Sequence, residues 1–247
     1  MPRRDPFGHL VWIKRLLIRN IGKITWGRYA KQNNLTVEGA EVLKNLPDRN
    51  VLFVSNHQTY FADVIAFLHV FCAARNGQYT SLEDKKYLRN PRVNSYFVAA
   101  EETMKKGILP RIFAYVGSVT IQRTWKQGSQ DVNRKVRMDD ISNIGVALSD
   151  GWVINFPQGT TKPFAKGRRG VVLILKKYNP VIVPVVIDGF RRAFDKRGLK
   201  MKKKGVNLSI RFKDVMQVDL TKSADEILEE LMDAIEQSEK FQTGETA

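Results

Sequence analysis

His57 and Asp63 are the residues whose types and spacing are best suited to proton-transfer chemistry in this chain. His57 follows the strand-like run Val51–Ser55, and Asp63 opens an apolar stretch of helical character. A neutral imidazole can take a proton from a hydroxyl, while a carboxylate on its other nitrogen fixes the tautomer and stabilises the imidazolium. The pair therefore predicts a general base with an orienting carboxylate, although Asp63 is equally suited to capping a helix.

The elements that must position this pair alternate between short apolar strands and helices, which predicts an α/β fold. We expect a single domain with a mixed, partly parallel sheet flanked by helices. The predicted strands are Val51–Ser55, Ser118–Gln122, Trp152–Phe156, Ile182–Ile187 and Val206–Phe212. The predicted helices are Asp63–Ala74, Met138–Leu148, Gly167–Lys177 and a last helix that Ser223 and Glu226 open as a capping box. Because α/β folds place their sites at strand ends, His57 should lie at an edge of the sheet.

Three further segments follow the pair along the chain. They are Gly117–Arg123, Phe156–Thr161 and Val181–Ile187; the first ends in an arginine and the second reads Phe-Pro-Gln-Gly-Thr-Thr. Together with Asn56, His57 and Asp63 they resemble the four motif blocks of the glycerolipid acyltransferase family, which includes the 1-acylglycerol-3-phosphate acyltransferases. The resemblance covers about residues 35 to 190.

The resemblance implies direct acyl transfer without an acyl-enzyme. His57 would deprotonate an acceptor hydroxyl as it attacks the thioester carbonyl of an acyl-CoA or an acyl carrier protein, with Asp63 as its partner. The acceptor would be a lyso-lipid, most simply 1-acylglycerol-3-phosphate, which would give phosphatidate. No bound cofactor is expected, and histidines at positions 9, 57 and 69 make no metal-ligand set. The single cysteine, Cys72, excludes an internal disulfide and fits an apolar core position.

The acceptor side is expected to bind an anionic group. Arg123 matches the arginine of the second block, and its planar donors suit phosphate, although a surface salt bridge is the alternative. The predicted acceptor residues of the third block are Gln158, Gly159, Thr160, Thr161 and Lys162. Backbone N–H groups near Gly159 and Thr160 could stabilise an oxyanion. Asn56 and Pro184 are expected to support the site, and the basic residues 162–169 either extend the anion pocket or form a solvated face.

The chain departs from the family pattern in two places, the spacing of the first block and the residues of the third. Five residues separate His57 from Asp63 instead of the usual four, so a turn or bulge ahead of the helix must absorb one residue. The third block usually reads Phe-Pro-Glu-Gly-Thr-Arg, and here Gln158 replaces the glutamate and Thr161 the arginine. Either Lys162 and the basic residues 166–169 compensate, or the acceptor is not a simple glycerol phosphate but, for example, a lyso-aminolipid.

Charge and the N-terminal segment indicate an anionic membrane surface as a partner. The net charge is +16, and residues 222–247 hold eight acids and two bases, so the basic charge lies in residues 1–221. Residues 7–30 predict an amphipathic helix with Leu10, Ile13, Leu17, Ile21 and Ile24 on one face and Arg15, Arg19 and Lys23 on the other. We assign residues 1–34 to a membrane-associating helical segment, 35–242 to the acyltransferase domain and 243–247 to a frayed tail. Alternatively, the helix docks its apolar face on its own domain.

The apolar runs are far shorter than the roughly 20 residues of a bilayer span. The start of the chain does not read as a signal peptide, because Lys14, Arg15 and Arg19 interrupt its apolar stretch. We therefore expect a peripheral or monotopic protein on the cytoplasmic side of the cell membrane.

Two other classes compete with an acyltransferase. Residues 191–213 hold ten bases and one acid, which would suit nucleic acid, but no recognition motif accompanies them. Anionic lipid headgroups explain the same charge, so no nucleic-acid partner is expected. The second competitor is a non-catalytic lipid-binding relative that has lost the glutamate and arginine of the third block.

Overall fold

The protein is built around a mixed β-sheet. The computed structural model describes residues 3–80, 82, 84–101, 108–121, 126–127, 130–131 and 138–244. The strands are β1 (Asn34–Glu38), β2 (Val51–Ser55), β3 (Ser95–Ala100), β4 (Ser118–Ile121), β5 (Lys126–Gln127), β6 (Gln130–Asp131), β7 (Trp152–Asn155), β8 (Val181–Asp188) and β9 (Asn207–Phe212). Within the described residues, seven of them form one sheet in the order β1-β9-β8-β2-β7-β3-β4, and β5 pairs with β6 separately. Neighbours in the sheet are parallel except β8 and β9, which are antiparallel.

Helices cover both faces of this sheet. They are α1 (Val11–Ala30), α2 (Ala62–Arg75), α3 (Ile108–Val116), α4 (Met138–Asp150), α5 (Gly170–Tyr178), α6 (Phe190–Ala193) and α7 (Ala224–Ala234), with 3₁₀ helices at Ala40–Lys44, Lys85–Arg89 and Glu239–Gly244. Side chains alternate along the central strand β2: Val51 and Phe53 join α1 and α2 in one core, whereas Leu52 and Val54 join α4, α5 and α7 in the other. A strand buried on both faces reads as a continuous hydrophobic run: β2 is buried at all five positions and apolar from Val51 to Val54, with the polar Ser55 at its end.

The predicted fold class is confirmed, with each of the five predicted strands in the sheet. The predicted helices are present with ends shifted by a few residues, and Ser223 and Glu226 form the capping box of α7. The sequence analysis missed strands β1 and β3 and helix α3. In β1, Leu35 and Val37 alternate with polar residues, so the strand carried a usable signal that the sequence analysis did not use.

The N-terminal helix α1 docks on the domain through a different face from the predicted apolar stripe. Its buried residues are Lys14, Ile18, Gly22, Thr25 and Tyr29. At Gly22 a Cβ atom would lie 2.4 Å from the side chain of Leu88, so glycine permits this close approach. The predicted stripe divides instead: Leu17 and Ile21 pack partly against the core, and Ile24 is 75% exposed. The position of the buried face was not predicted correctly, because it combines Ile18 and Tyr29 with Gly22, Thr25 and Lys14, which an apolar pattern does not select; membrane contact of this segment stays a prediction.

No helix in the described ranges combines the length and the apolarity that crossing a bilayer requires. The predicted tail begins at residue 243; the structure describes residues 243 and 244 at the end of a 3₁₀ helix, and residues 245–247 lie outside it.

A buried histidine joins α1 to α2. His69 is 1% exposed; its Nε2 lies 2.9 Å from the hydroxyl of Thr25 and its Nδ1 lies 2.7 Å from the hydroxyl of Tyr87. The Thr25 hydroxyl donates to the carbonyl of Ile21, so Nε2–H donates to Thr25 and Nδ1 accepts from Tyr87. Both nitrogens of the neutral ring are thus satisfied, and burial lowers the pKa of His69 to about 3.

This histidine should make the stability depend on pH. The folded state resists protonation of His69, whereas the unfolded chain binds a proton below about pH 6.5, so stability is lost as the pH falls from about 6.5 towards 3. At pH 5 the loss from this group should be about 2 kcal/mol relative to pH 7.5. Urea unfolding at both pH values should show a smaller drop for His69→Gln than for the parent. His9→Gln, which changes a partly exposed ring, is the matched control and should keep the full drop; an equal drop in all three proteins would contradict the assignment.

Candidate active site

The site begins where β2 ends, and a side-chain amide fastens this end to the neighbouring strand. Asn56 donates from Nδ2 to the carbonyl of Ile187 at 2.9 Å and accepts from the N–H of Ile187 at 2.8 Å. Because β2 and β8 are parallel, their carboxyl ends lie at the same sheet edge. This double hydrogen bond therefore fixes the start of the loop that carries His57.

His57 and Asp63 lie together despite their longer spacing. The Nδ1 of His57 lies 2.9 Å from the Oδ2 of Asp63, whose side chain is fully buried. The extra residue is absorbed in the loop 57–61, because α2 begins only at Ala62. Backbone N–H groups of Tyr60 and Phe61 donate to the carbonyls of residues 196 and 197, which holds this loop from outside.

Asp63 gathers four hydrogen bonds. Besides His57, it accepts from the backbone N–H groups of Gln58 at 2.5 Å and Thr59 at 2.9 Å and from the hydroxyl of Thr59 at 2.6 Å. These donors stabilise a carboxylate that would otherwise be costly to bury. Since an ionised carboxylate only accepts, Nδ1 of His57 carries the hydrogen and Nε2 keeps its lone pair. The arrangement leaves Nε2 as the basic atom.

The ring of Phe156 fixes the plane of this imidazole. The two rings stack with centroids 4.0 Å apart and an angle of 17° between their planes. Phe156 comes from the end of β7, the neighbour of β2, so a second strand end contributes to the site. The side chain of His57 keeps only 11% of its surface exposed, so one edge of the ring meets solvent.

The third block forms a tight loop beside this ring. Gly159 has φ +60°, in the left-handed region that favours glycine, and its N–H donates to the carbonyl of Phe156 at 2.9 Å. The Gly159 N–H is thus engaged within the loop, and stabilisation of an oxyanion by the N–H of Thr160 stays a prediction. Thr160 accepts from the N–H of Lys162, whose side chain is exposed. Thr161 is nearly buried, and its carbonyl accepts from Arg191.

Gln158 holds the loop to the C-terminal part of the chain. Its Nε2 donates to the carbonyl of Ala165 at 3.0 Å and to Oε1 of Gln237 at 3.2 Å, and Gln237 also accepts from the N–H of Phe164. The orientation of both amides follows from these backbone groups. Gln158 is 2% exposed and meets two acceptors, so an amide fits and a carboxylate would not. This explains the departure from the usual glutamate as a structural one.

An open cleft of about 390 Å³ adjoins His57. Its walls are the end of β8, the outer face of β9 and the chain after α7. The lining residues are Asn56, His57, Gln58, Pro163, Phe164, Val186, Ile187, Asp188, Arg191, Ser209, Arg211, Glu236, Gln237 and Phe241. The cleft is thus part apolar and part charged, as a site for an amphiphile requires.

The predicted acceptor residues are only partly brought together around this cleft. Gln158, Gly159, Thr160, Thr161 and Lys162 form the loop behind it and do not line it. Pro184 lies buried in β8, paired with Val54 of β2. Arg123 lies outside the described residues.

The basic residues after the third block do not converge on the cleft. Lys162 and Lys166 are exposed, and Arg169 pairs with Asp225 at the start of α7. Arg168 lies over Gly159, where a Cβ atom would be 3.0 Å from its Nε. The alternative of a solvated basic face therefore describes most of this segment better than an anion pocket does.

The sequence analysis missed Gln58, Phe156, Arg191 and Gln237 as site residues. Gln58 and Phe156 carried a usable signal, because they lie within the motif blocks. Arg191 also carried one, since it follows a strand parallel to β2 and so belongs at the same edge. No local pattern marks Gln237, whose place depends on how the last helix packs.

Comparison with known families identifies this arrangement. Residues 34–188, more than half of the chain, match the family model described as Acyltransferase. The chain therefore belongs to the acyltransferase family, and the family predicted from the four motif blocks is confirmed. It is an acyltransferase enzyme with His57 and Asp63 inside the matched region.

A solved structure shares the fold. The crystal structure of the 1-acyl-sn-glycerophosphate (LPA) acyltransferase PlsC from Thermotoga maritima matches with a TM-score of 0.54 and 19% sequence identity, covering 94% of this chain and 81% of that one. At this identity the likeness concerns the fold. A sequence comparison with curated proteins finds no significant match.

Restoring the usual glutamate should destabilise the protein. Gln158→Glu places a carboxylate against the carbonyl of Ala165 and Oε1 of Gln237, so two hydrogen bonds become repulsive contacts. We expect the free energy of unfolding at pH 8 to fall by about 2–4 kcal/mol, and by less at pH 5 because a protonated side chain regains one donor. Denaturant unfolding measures both values. Gln32→Glu at an exposed position is the control; a Gln158→Glu protein as stable as this control would show that Gln158 is not held as described.

Proposed function

We propose that this acyltransferase moves a fatty acyl chain from a thioester donor to the hydroxyl of a lyso-lipid, with His57 as general base. The supporting observation is the His57–Asp63 pair, which leaves Nε2 of the imidazole as the basic atom at a cleft suited to an amphiphile. As the acceptor oxygen attacks the thioester carbonyl, its proton passes to Nε2. When the C–S bond breaks, the imidazolium returns the proton to the leaving thiolate.

The supports around His57 each contribute to this step. Asp63 stabilises the imidazolium that forms, and Phe156 keeps the ring in one plane while its charge changes. Direct transfer agrees with the state of the single cysteine: Cys72 is buried in α2, and burial raises the pKa of its thiol to about 12. A thiol held protonated in the core is a poor nucleophile.

The acceptor that we propose first is 1-acylglycerol-3-phosphate, which the reaction would convert to phosphatidate. The donor would be an acyl-CoA or an acyl carrier protein thioester. A lyso-aminolipid is the second candidate acceptor, because Thr161 stands where the usual third block has an arginine.

We propose further that the enzyme works at an anionic membrane on its cytoplasmic side, as a peripheral or monotopic protein. On the solvent face of α1, Trp12 is 59% exposed, Leu16 45% and Ile24 75%. Lys23 lies among them and is exposed. Large apolar side chains next to a basic one suit insertion between anionic headgroups.

Substitution of His57 should slow turnover strongly. We expect His57→Ala to lower kcat by about two to four powers of ten, because general base catalysis supplies a factor of this size. Asp63→Asn should also lower kcat, because an amide cannot stabilise the imidazolium in the same way. Product should be measured by mass spectrometry after incubation with mixed lyso-lipids and either donor, which also identifies the lyso-lipid consumed. His9→Ala is the control. If folded parent protein forms no His57-dependent product, the non-catalytic lipid-binding alternative is correct.

Membrane binding should depend on the exposed face of α1. The triple variant Trp12→Ser, Leu16→Ser, Ile24→Ser should bind anionic vesicles at least about tenfold more weakly, because each side chain loses the free energy of burial in the interface. Vesicle sedimentation with phosphatidylglycerol-rich liposomes measures this. A matched control changes three exposed apolar residues on α4 and α5, Met138, Val146 and Leu173, to serine. Equal vesicle binding of the two triple variants would contradict the assignment of the exposed face of α1. Retention of the parent protein by DNA as strong as its retention by anionic vesicles at the same salt concentration would favour a nucleic-acid partner.

A further inference from the structure

We propose that Arg191 binds the anionic group of the acceptor, a phosphate or a carboxylate, in the cleft beside His57. The inference rests on the proposed function, since it names the residue that would select the substrate of the same site. Arg191 lies in neither the third block nor the basic run that follows it, and its position is set by the end of β8.

The backbone around Arg191 is held firmly. Gly189 has φ +88°, and a Cβ atom there would lie 2.2 Å from the carbonyl of Asn207, so the chain turns sharply after β8. Phe190 then anchors α6 with a fully buried ring. The backbone N–H of Arg191 donates to Oε1 of Gln58 at 3.1 Å, next to His57. These constraints direct the residue after the anchor towards the loop that carries the base.

The guanidinium itself is fixed by one hydrogen bond. Its Nη2 donates to the carbonyl of Thr161 at 2.6 Å, which ties it to the third block. A guanidinium has five N–H donors in a planar fork. Among the described residues no second acceptor meets this guanidinium, and the residue lines the cleft, so it keeps free donors of the kind that match two oxygens of a phosphate or carboxylate.

Charge pairing distinguishes Arg191 from the other basic side chains near the cleft. Arg211 and Lys213 both pair with Glu236, at 2.6 Å and 3.1 Å, and Arg192 pairs with Asp188 at 2.7 Å. In the described part of the chain, no carboxylate lies within salt-bridge distance of Arg191. The carboxylates of the cleft are thus neutralised by other residues, and Arg191 supplies an uncompensated positive charge next to the base.

Arg191 also places a cation beside the third block. It reaches the carbonyl of Thr161 from helix α6, although residue 161 itself is uncharged. Lys162 and Lys166, the other candidates for this task, are exposed and do not line the cleft.

A binding experiment tests Arg191 without requiring turnover. In a His57→Asn background, which prevents reaction, titration calorimetry would measure three ligands of equal acyl length: a short-chain 1-acylglycerol-3-phosphate, an N-acyl amino acid and the uncharged monoacylglycerol. We expect at least one of the two anions to bind, with Arg191→Gln weakening it about 10- to 100-fold, the effect of losing charge-assisted hydrogen bonds. Arg191→Lys should lie between. Which anion responds tells a phosphate acceptor from a carboxylate one.

The matched control is Arg49→Gln, which removes the same charge from an exposed position before β2, at the opposite edge of the sheet. It should leave all three affinities unchanged. The proposal is wrong if Arg191→Gln leaves the affinity for both anions unchanged, or if neither anion binds. It is also wrong if Arg191→Gln weakens the affinity for the monoacylglycerol by the same factor, since that result would indicate a structural role. Failure of the proposed function shows instead as absence of His57-dependent product, so the two results are separable.

Discussion

A single buried carboxylate determines the form of the loop that carries His57. Asp63 has no access to solvent, and an ionised side chain in such a place must be surrounded by donors. Four donors from three consecutive residues meet that requirement, and the loop 57–61 can supply them in only a narrow set of conformations. The position of His57 is therefore a consequence of solvating Asp63 internally. The same constraint explains why an additional residue between His57 and Asp63 is tolerated. Hydrogen bonds to the two carboxylate oxygens of Asp63 determine the shape of the loop, and helical periodicity does not.

The neighbouring strands convert this local arrangement into a site. β2 leads to His57, β7 leads to the ring of Phe156 that stacks on it, and β8 leads to Arg191. All three strands run parallel, so the order of strands in the sheet is enough to bring their carboxyl ends together at one edge. The antiparallel strand β9 extends the wall past this edge, and its outward side chains, among them Ser209 and Arg211, face the cleft.

How much of this could be read from the sequence depends on the range of the contacts involved. The fold class and the strand β2 followed from patterns within a few residues, and so did the choice of His57 and Asp63. The fate of Gln158 did not, because its partner Gln237 lies in a segment with no motif and meets it only through the packing of α7. Likewise the docking face of α1 could not be read from hydrophobicity, since Gly22 and Thr25 contribute fit and hydrogen bonding instead of apolar area. The sequence shows the net positive charge but not which basic side chains are paired with carboxylates. Arg169 forms an ion pair with Asp225, whereas Arg191 has no such partner among the described residues.

The contact between Gln158 and Gln237 has a consequence for the order in which the molecule assembles. The pair His57 and Asp63 closes a loop of only a few residues, and closure of so short a loop is fast once β2 and α2 are in place. The far wall of the cleft comes from residues near 237, so the cleft joins parts of the chain separated by most of the domain and depends on long-range contacts, which form more slowly. The contact between His57 and Asp63 is therefore expected to form before the cleft beside it is complete.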